Sequence, residues 1–366
     1  MSQKKYLEVI FLFKLKHLGA LALTSLLGIS LLTGCGSSGS NADNGVVYFY
    51  NCGDYIDEDL LSKFTKETGI KVDYSTYDTN EIMYQKLKST PGSYDLVIPS
   101  DYMIEKMIKE DMAEKIDFNN IPNYEYIGDE YKNLPYDSNN EYSVPYMWGT
   151  IGIIYNPDIV TEPVNRWDIL WDTKYNNKQL IMFDSMRDTL AIGLKKLGYS
   201  INSTNPDEIS AATQELIKQK QTMDPLYYVD EVKDKMINEE AAIAPVWSGD
   251  AAYIMSQNPK LKYVVPDEGS NKWFDSMVIP KDSKNKENAE KLINFLCDPE
   301  NAIQNVEYIE YSTPNTGAYE LLDDEVKNNP GLYPSKEVLD KCEVFVDLGD
   351  SLKLYDQAWM NIKTAK

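Results

Sequence analysis

Aromatic side chains stand next to carboxylates at several separate points along this chain, and these residue types together could bind a ligand. The groups are Asp54 with Tyr55; Ser100, Asp101 and Tyr102; Asp184 and Asp188; Trp247 with Asp250; and Trp273 with Asp275. Carboxylates accept strong hydrogen bonds from ammonium groups, and aromatic faces attract the same charge while covering methylene groups. The composition suits a site for an elongated organic cation, although abundant Tyr and helix-capping Asp are the plainer alternative.

Histidine chemistry is excluded from the predicted mature chain. The single histidine, His17, lies in an N-terminal leader, so a Ser-His-Asp triad, Cys-His catalysis and a histidine metal site are ruled out. We expect no cofactor and no metal. An acid hydrolase that uses Asp184 and Asp188 as a carboxylate pair stays open, and so does a surface adhesin without an enclosed cleft.

The charge balance limits the partners of the chain. It carries 58 acidic and 36 basic residues, which gives a formal net charge of −22. Such a surface repels nucleic acid and anionic lipid and attracts cations, so we expect no nucleic-acid partner. Four cysteines without recognisable spacing do not indicate a disulfide framework. The length indicates about two domains.

The N-terminus has the pattern of a secretory signal. Lysines precede a hydrophobic run that ends at Leu32-Thr33-Gly34-Cys35. This ending resembles the lipobox of bacterial lipoproteins, which implies a diacylglycerol on Cys35 after cleavage. We expect a signal peptide over 1–34, a lipidated Cys and flexible tether over 35–45, and a location on the outer face of the cytoplasmic membrane, or in the periplasmic space of a Gram-negative cell. A membrane helix with a chance Cys is the alternative.

Strand and helix patterns alternate twice along the chain and predict an α/β protein. The first run reads β-α-β-α-β, which favours a parallel sheet with helices on its faces. Its strands are 46–50, 71–76 and 95–98, and its helices are 59–68, 80–88 (with Asn80 as cap) and 102–110. The second run has strands 178–183, 242–247 and 261–265 and helices 187–197, 210–221, 231–239 and 249–256. Ligands bind beyond the carboxyl ends of such strands, which places the acidic and aromatic groups at two rims.

Two extended segments, 150–156 and 276–280, lie between these two runs. We interpret them as crossovers, so that each domain is built from discontinuous pieces. The predicted first lobe is 46–150 plus 276–318, and the predicted second lobe is 151–275 plus 319–366.

Segments spread over the whole mature chain share one resemblance. They are Val47-Tyr48-Phe49-Tyr50-Asn51, Gly53-Asp54-Tyr55, and the stretches 64–72, 94–100, 196–200, 273–276, 292–296 and 312–315. Together they resemble the spermidine/putrescine-binding lipoproteins, which are extracellular receptors of polyamine ABC importers. The resemblance implies a two-lobed, type II periplasmic-binding-protein fold. Each lobe would be a mixed sheet flanked by helices, two crossover strands would join the lobes, and the polyamine would lie in the cleft between them.

The resemblance also implies which residues contact the ligand. Carried over by position, they are Tyr55, Ser100, Tyr102, Asp188, Trp247, Trp273, Asp275 and Tyr311. Asp275 would pair with an amine between the Trp247 and Trp273 faces, and Asp188 would hold a terminal ammonium. Asp54, Cys52 and Ser185 are also expected at the ligand site, which gives eleven predicted residues.

The chain departs from the family pattern at three positions. Cys52 stands where the family commonly has Trp, Ser185 where some members have Asp, and Phe345 near a Gln of some members. These departures leave the choice between spermidine and putrescine open. The resemblance further implies a monomer without enzymatic activity that delivers its ligand to the permease and ATPase subunits of an importer. Another organic cation or a small peptide is the alternative ligand.

Overall fold

Nine β-strands and thirteen α-helices form the described part of the chain, which is residues 44–177 and 179–365 of a computed structural model. The strands are β1 Val46–Cys52, β2 Lys71–Tyr77, β3 Leu96–Val97, β4 Ser143–Tyr155, β5 Ile181–Phe183, β6 Leu226–Tyr228, β7 Ile243–Trp247, β8 Lys262–Val264 and β9 Lys272–Val278. The helices are α1 Glu58–Thr68, α2 Asn80–Ser89, α3 Asp101–Lys109, α4 Met186–Lys196, α5 Pro206–Met223, α6 Val232–Ile237, α7 Ser248–Gln257, α8 Lys286–Leu296, α9 Pro299–Ile309, α10 Thr316–Leu321, α11 Asp324–Lys327, α12 Lys336–Leu339 and α13 Leu352–Thr364.

The N-terminal predictions fall outside the described residues. These are the signal peptide over 1–34, the lipidated Cys35 and most of the tether. Residue 178, the first residue of a predicted strand, is also outside. Within 44–177 and 179–365, no helix has both the length and the apolar character needed to cross a membrane.

The predicted parallel sheet is present around β1. Strand β1 pairs in parallel with β2 along its whole length and with β3 at Phe49 and Tyr50. Helix α1 buries Leu60, Leu61 and Phe64, the apolar face that the sequence spacing predicts. Parallel neighbours require crossover connections, which is why the alternation of strands and helices in the sequence predicts this part of the sheet.

Helix α2 begins at a different cap from the predicted one. Thr79 is the N-cap, and its hydroxyl accepts a hydrogen bond from the backbone N–H of Ile82. The prediction of Asn80 as cap is therefore wrong. The Asn80 side chain donates to Ser100 Oγ at 3.0 Å and accepts from the Ser100 backbone N–H at 3.1 Å. This reciprocal pair joins the start of α2 to the residue before α3.

Strand β4 is long enough to pair with two groups of strands. Its first half, from Ser143 to Thr150, runs antiparallel to β9, which in turn pairs with β3. Its second half pairs with β7 and β8 from Ile151 onward. The change of partner falls at the start of the predicted crossover 150–156.

The second predicted crossover, 276–280, is wrong in position. Residues 276–278 lie inside the first group of strands, opposite 143–145 of β4. The pairing of β9 with β4 begins at Lys272, the first residue of β9. The residue before it, Asn271, forms an isolated bridge with Glu343. Sequence periodicity shows that a segment is extended but does not show which strand it pairs with. The lobe boundaries drawn from these crossovers stay a prediction.

The second group of strands is covered by helices from distant parts of the chain. Strand β5 pairs in parallel with β6, and Leu180 bridges to Ile243 of β7. Helix α13 packs against α4 and α5, and the Tyr355 hydroxyl donates to the Ser203 carbonyl at 2.8 Å. Residues 319–366 belong to the predicted second lobe, but α13 itself is not predicted from the sequence.

Asp95 connects the first group of strands to the segment before α8. Its side chain is 1% exposed and accepts hydrogen bonds from the backbone N–H groups of Tyr48, Lys284 and Asn285, at 3.0–3.1 Å. The Ser283 hydroxyl and the Asn285 side-chain amide donate to it as well, at 2.8 and 3.0 Å. One carboxylate therefore satisfies donors from two separate parts of the chain.

The variant Asp95→Ala is expected to lower the free energy of unfolding by about 2–5 kcal/mol, because several buried donors lose their partner. Urea unfolding measures this. Asp73→Ala, at an exposed position of β2, is the control and is expected to change stability by less than about 0.5 kcal/mol. Equal effects of the two variants would contradict the anchoring role of Asp95.

Candidate functional site

One cleft of about 880 Å³, measured with its open entrance, brings the predicted site residues together. Its walls come from the loops that follow β1, β2, β3, β5 and β7, and from the beginning of β9. The lining includes all eleven residues predicted for ligand binding, which are Cys52, Asp54, Tyr55, Ser100, Tyr102, Ser185, Asp188, Trp247, Trp273, Asp275 and Tyr311. Their proximity is a fact of the structure, whereas their contact with a ligand stays a prediction.

Asp275 lies at the middle of this lining, on β9. The Tyr55 hydroxyl donates to Asp275 Oδ2 at 2.7 Å, and Ser100 forms an isolated β-bridge with Asp275. The other carboxylate oxygen, Oδ1, is buried and has no hydrogen-bond partner among the described residues. Burial raises the pKa of Asp275 to about 6, against the lowering effect of the Ser100 and Tyr55 hydrogen bonds.

Aromatic rings form the wall beside Asp275. Tyr311 packs edge-on against both Trp273 and Tyr55, with ring centroids 5.5 and 5.3 Å apart. Two glycines allow this packing. A Cβ on Gly249 would lie 2.3 Å from the Tyr311 ring, and one on Gly149 would lie 2.6 Å from the Trp273 ring. The rings therefore lie directly against backbone, where only Gly fits.

An acidic group lies at one side of Asp275. The Tyr102 hydroxyl donates to Glu81 Oε1 at 2.9 Å, and the Ser185 hydroxyl donates to Asp188 Oδ2 at 2.5 Å. Burial raises the pKa of Asp188 to about 6, and the nearby Glu81 raises it further, while Ser185 and Arg187 lower it. Glu81, in the first turn of α2, is a lining residue that the sequence does not predict.

A second acidic group surrounds a lysine that the sequence analysis also misses. Lys233 Nζ lies 3.0 Å from Asp54 Oδ2, 3.5 Å from Asp230 Oδ1 and 3.9 Å from Asp250 Oδ1. The Tyr311 hydroxyl donates to Asp250 Oδ1 at 2.8 Å, while Asp250 Oδ2 is buried without a partner among the described residues. Burial raises the pKa of Asp250 to about 6 despite Lys233.

The three departures from the family pattern all lie on the cleft. Cys52 is a free, partly exposed thiol whose pKa is raised by burial and by nearby Asp230 and Asp275. Ser185 supports Asp188 through its hydroxyl. Phe345 is buried and stacks on the Arg187 guanidinium at 4.3 Å, so it contributes a nonpolar wall.

The carboxylate pair of the hydrolase alternative is not assembled in this cleft. Asp184 is exposed and pairs with Lys363 Nζ at 2.7 Å, and it is absent from the lining residues. Asp188 lines the cleft without it. Asp184 and Asp188, which both follow the end of β5, therefore lie in different surroundings.

The charge of the lining favours a cation. Its acidic residues are Asp54, Asp78, Glu81, Asp188, Asp230, Asp250 and Asp275, and its basic residues are Arg187 and Lys233. Clefts lined by one sign of charge raise the local concentration of the opposite charge. Carboxylates whose pKa values are raised by burial gain the most from a cation that restores their ionised form.

The variant Asp275→Asn tests the cost of burying this carboxylate. Because the folded pKa of Asp275 lies above the unfolded value, wild type binds a proton on folding between pH 6 and pH 4 and gains stability there. Relative to Asp275→Asn, ligand-free wild type is expected to gain about 1 kcal/mol between pH 7.5 and pH 5, measured by urea unfolding.

Glu110→Gln is the control for that measurement. The pKa of Glu110 is lowered to about 2 by the Lys106 and Tyr84 hydrogen bonds, so its contribution is lost only at lower pH. Its difference from wild type is therefore expected to stay constant over the same interval. A constant difference for Asp275→Asn as well would contradict the burial of its charge.

Comparison with known proteins places the chain in a family. The family model described as "Bacterial extracellular solute-binding protein" matches residues 59–334. The spermidine/putrescine-binding periplasmic protein of Salmonella typhimurium is 42% identical over 332 residues, covering 90% of this chain and 95% of that protein. Its Escherichia coli counterpart is 41% identical over 334 residues, covering 90% and 95%.

Solved structures agree with these relatives. A putative spermidine/putrescine ABC transporter protein of Listeria monocytogenes is 40% identical, with a TM-score of 0.85 over 88% of this chain and 99% of that chain. The spermidine/putrescine transporter substrate-binding protein of Streptococcus pneumoniae is 43% identical, with a TM-score of 0.73 over 87% and 99%. The predicted two-lobed, type II periplasmic-binding-protein fold is confirmed. The chain belongs to the bacterial extracellular solute-binding proteins.

Proposed function

We propose that this protein captures a polyamine, spermidine or putrescine, in the acidic and aromatic cleft and delivers it to the permease of an ABC importer. The observation that carries the proposal is the buried Asp275 carboxylate, which has one unpaired oxygen beside the Trp273 and Tyr311 rings. The names of relatives at 41–42% identity, which are spermidine/putrescine-binding proteins, support the same ligand class.

The cleft offers a polyamine two kinds of contact. An amine nitrogen beside Asp275 would donate to the unpaired Oδ1, and a second nitrogen would reach Asp188 and Glu81. Hydrogen bonds between two ionised groups are the stronger kind. The methylene groups between the nitrogens would lie against the Trp247 and Trp273 faces. Each ring face would also attract a neighbouring ammonium group by roughly 0.5–2 kcal/mol through cation–π attraction.

The remaining parts of the proposal come from the sequence. A diacylglycerol on Cys35 would hold the monomer at the outer face of the cytoplasmic membrane, with 35–45 as a tether, and the permease and ATPase subunits would be its partners. Closure of the two lobes over the ligand would use the higher affinity of the closed form. The protein would bind and release its ligand unchanged, without catalysis.

Titration of the purified mature protein tests the proposed ligand. Spermidine or putrescine at 100 times its dissociation constant is expected to add about 2.7 kcal/mol to the free energy of unfolding. Calorimetry gives the dissociation constant, and thermal unfolding gives the stabilisation. Butanediol, which has the length of putrescine but no charge, is the control and is expected to leave the melting temperature unchanged.

Two results would contradict the proposed ligand. One is a melting temperature that does not move with millimolar polyamine while another organic cation or a small peptide raises it. The other is equal stabilisation by putrescine and butanediol, because then the carboxylates of the cleft would play no part.

Asp275→Ala is expected to weaken polyamine binding more than Asp188→Ala. Removing Asp275 leaves a buried ammonium unpaired, which costs on the order of 2–5 kcal/mol. Asp188 has Glu81 beside it, so a carboxylate remains after the substitution. Calorimetry compares the two variants, with Asp184→Ala as a control of equal charge change outside the cleft. A loss below threefold for Asp275→Ala, or an equal loss for Asp184→Ala, would exclude the assigned role.

A further inference from the structure

Lys233 places a fixed positive charge inside a cleft whose composition otherwise selects cations. Its side chain is 14% exposed, and its partners among the described residues are carboxylates: Asp54 at 3.0 Å, Asp230 at 3.5 Å and Asp250 at 3.9 Å. All three carboxylates line the cleft. The Lys233 ammonium therefore occupies a position that has the same surroundings as a site for a ligand ammonium.

Arg187, the other basic residue of the lining, is held in a different way. Its guanidinium donates to the Val346 carbonyl at 3.3 Å and to Asn202 Oδ1 at 3.1 Å. It also stacks against the rings of Tyr102 and Phe345. These partners make Arg187 part of the wall, whereas the described ion-pair partners of the Lys233 ammonium are carboxylates of the cleft itself.

A continuous series of contacts leads from Asp275 to the Lys233 ammonium. Asp275 accepts from Tyr55, the Tyr55 ring packs on Tyr311, and the Tyr311 hydroxyl donates to Asp250. Asp250 lies 3.9 Å from Lys233. Asp188 and Glu81 form a separate acidic group, held by the Ser185 and Tyr102 hydroxyls rather than by Lys233. A long ligand that extends past Asp275 would therefore reach the Asp250 carboxylate.

We propose that Lys233 is a specificity-determining residue whose ammonium fills the acidic end formed by Asp54, Asp230 and Asp250 and so limits the length of the amine that the cleft accepts. This rests on the proposed function, because it assumes that the cleft binds an amine. A ligand amine that extends past Asp275 meets Lys233 and is repelled by it. Shorter amines end before that point and keep their contacts. The unpaired Oδ2 of Asp250 marks the place that a longer ligand would use.

Charge and length must be separated in the experiment, because removing a positive charge favours every cation. Putrescine, diaminooctane and diaminododecane carry the same two charges and differ only in length. Their dissociation constants are measured by calorimetry for wild type and for Lys233→Met. The variant is expected to bind diaminododecane about ten- to a hundredfold more tightly than wild type, since one charged contact is gained. For putrescine the gain is expected to be below about threefold.

Lys235→Met is the matched control. Lys235 lies on the same helix α6, pairs with Glu240 at 2.5 Å and is absent from the cleft lining. Lys235→Met removes one positive charge, as Lys233→Met does, so it measures the effect of the change in net charge alone. It is expected to leave the order of the three dissociation constants unchanged.

Two further variants keep the test decisive. Lys233→Gln can still donate to Asp54 and Asp250, so it protects the fold if Lys233→Met leaves Asp250 too costly to bury. Lys233→Gln is expected to improve the affinities in the same order of diamine length as Lys233→Met, with smaller differences between the diamines. Lys233→Met/Asp250→Asn is expected to remove the gain for diaminododecane, because the carboxylate that receives the second ammonium is gone.

An equal increase in affinity for all three diamines in Lys233→Met would overturn the proposal, because Lys233 would then be a counter-ion that does not affect which ligand length is bound. A gain for diaminododecane that persists in the double variant would overturn it too. Tighter binding of the long diamine that requires Asp250 supports it. If wild type and every variant bind no amine at all, the proposed function fails together with this inference. Melting temperatures that do not change when polyamine is added identify that case.

Discussion

The carboxylate of Asp275 is buried in the cleft without a positively charged partner among the described residues. Hydroxyl donors from Tyr55 and Ser100 stabilise its ionised form, yet burial still raises its pKa to about 6. Removing a carboxylate from water costs more free energy than neutral hydrogen bonds offset. A cation beside the free Oδ1 would reduce this cost, so on the proposed function the charge of the ligand would contribute much of its affinity.

The fold holds Asp275 at this point through an irregularity in strand pairing. On β4, Met147 lies opposite Asp275, and the register shifts between Pro145 and Met147. A bulge of this kind redirects side chains at the edge of a site. Tyr146, the extra residue, donates from its hydroxyl to the Tyr55 carbonyl at 2.7 Å. The bulge therefore positions the same tyrosine that donates to Asp275.

The sequence predicts the parts of this site that follow from local pattern and from family resemblance. Residues at the ends of predicted strands, such as Tyr55 and Trp247, line the cleft because the carboxyl ends of neighbouring strands meet at one edge. Helix 59–68 is predicted to within one residue of its observed bounds, Glu58–Thr68, because its apolar residues follow a helical spacing. The position of the second crossover and the helix at Leu352–Thr364 are not predicted, because strand pairing and helix packing depend on contacts between distant segments.

Glu81 and Lys233 are among the lining residues that the sequence does not predict, for a related reason. Glu81 and Lys233 both lie in the first turn of a helix, where charged side chains are common and carry no signal by type alone. Only the folded chain brings Glu81 beside Tyr102 and Asp188, and Lys233 to within 3.0 Å of Asp54, which is 179 residues away along the chain. Long-range charge pairs of this kind cannot be deduced from spacing.

The two basic residues of the cleft explain how one acidic site can still discriminate among cations. Seven carboxylates would attract any polyamine, and attraction alone distinguishes ligands only by their total charge. Specificity needs an element that disfavours the wrong ligand. Arg187 is held in the wall by the Val346 carbonyl and by aromatic stacking, and its charge, like that of Lys233, would repel a ligand ammonium. On the proposed function, a ligand would gain from the carboxylates only where its own ammonium groups stay clear of these two fixed charges. The spacing of its nitrogens, and not only their number, would then determine its affinity.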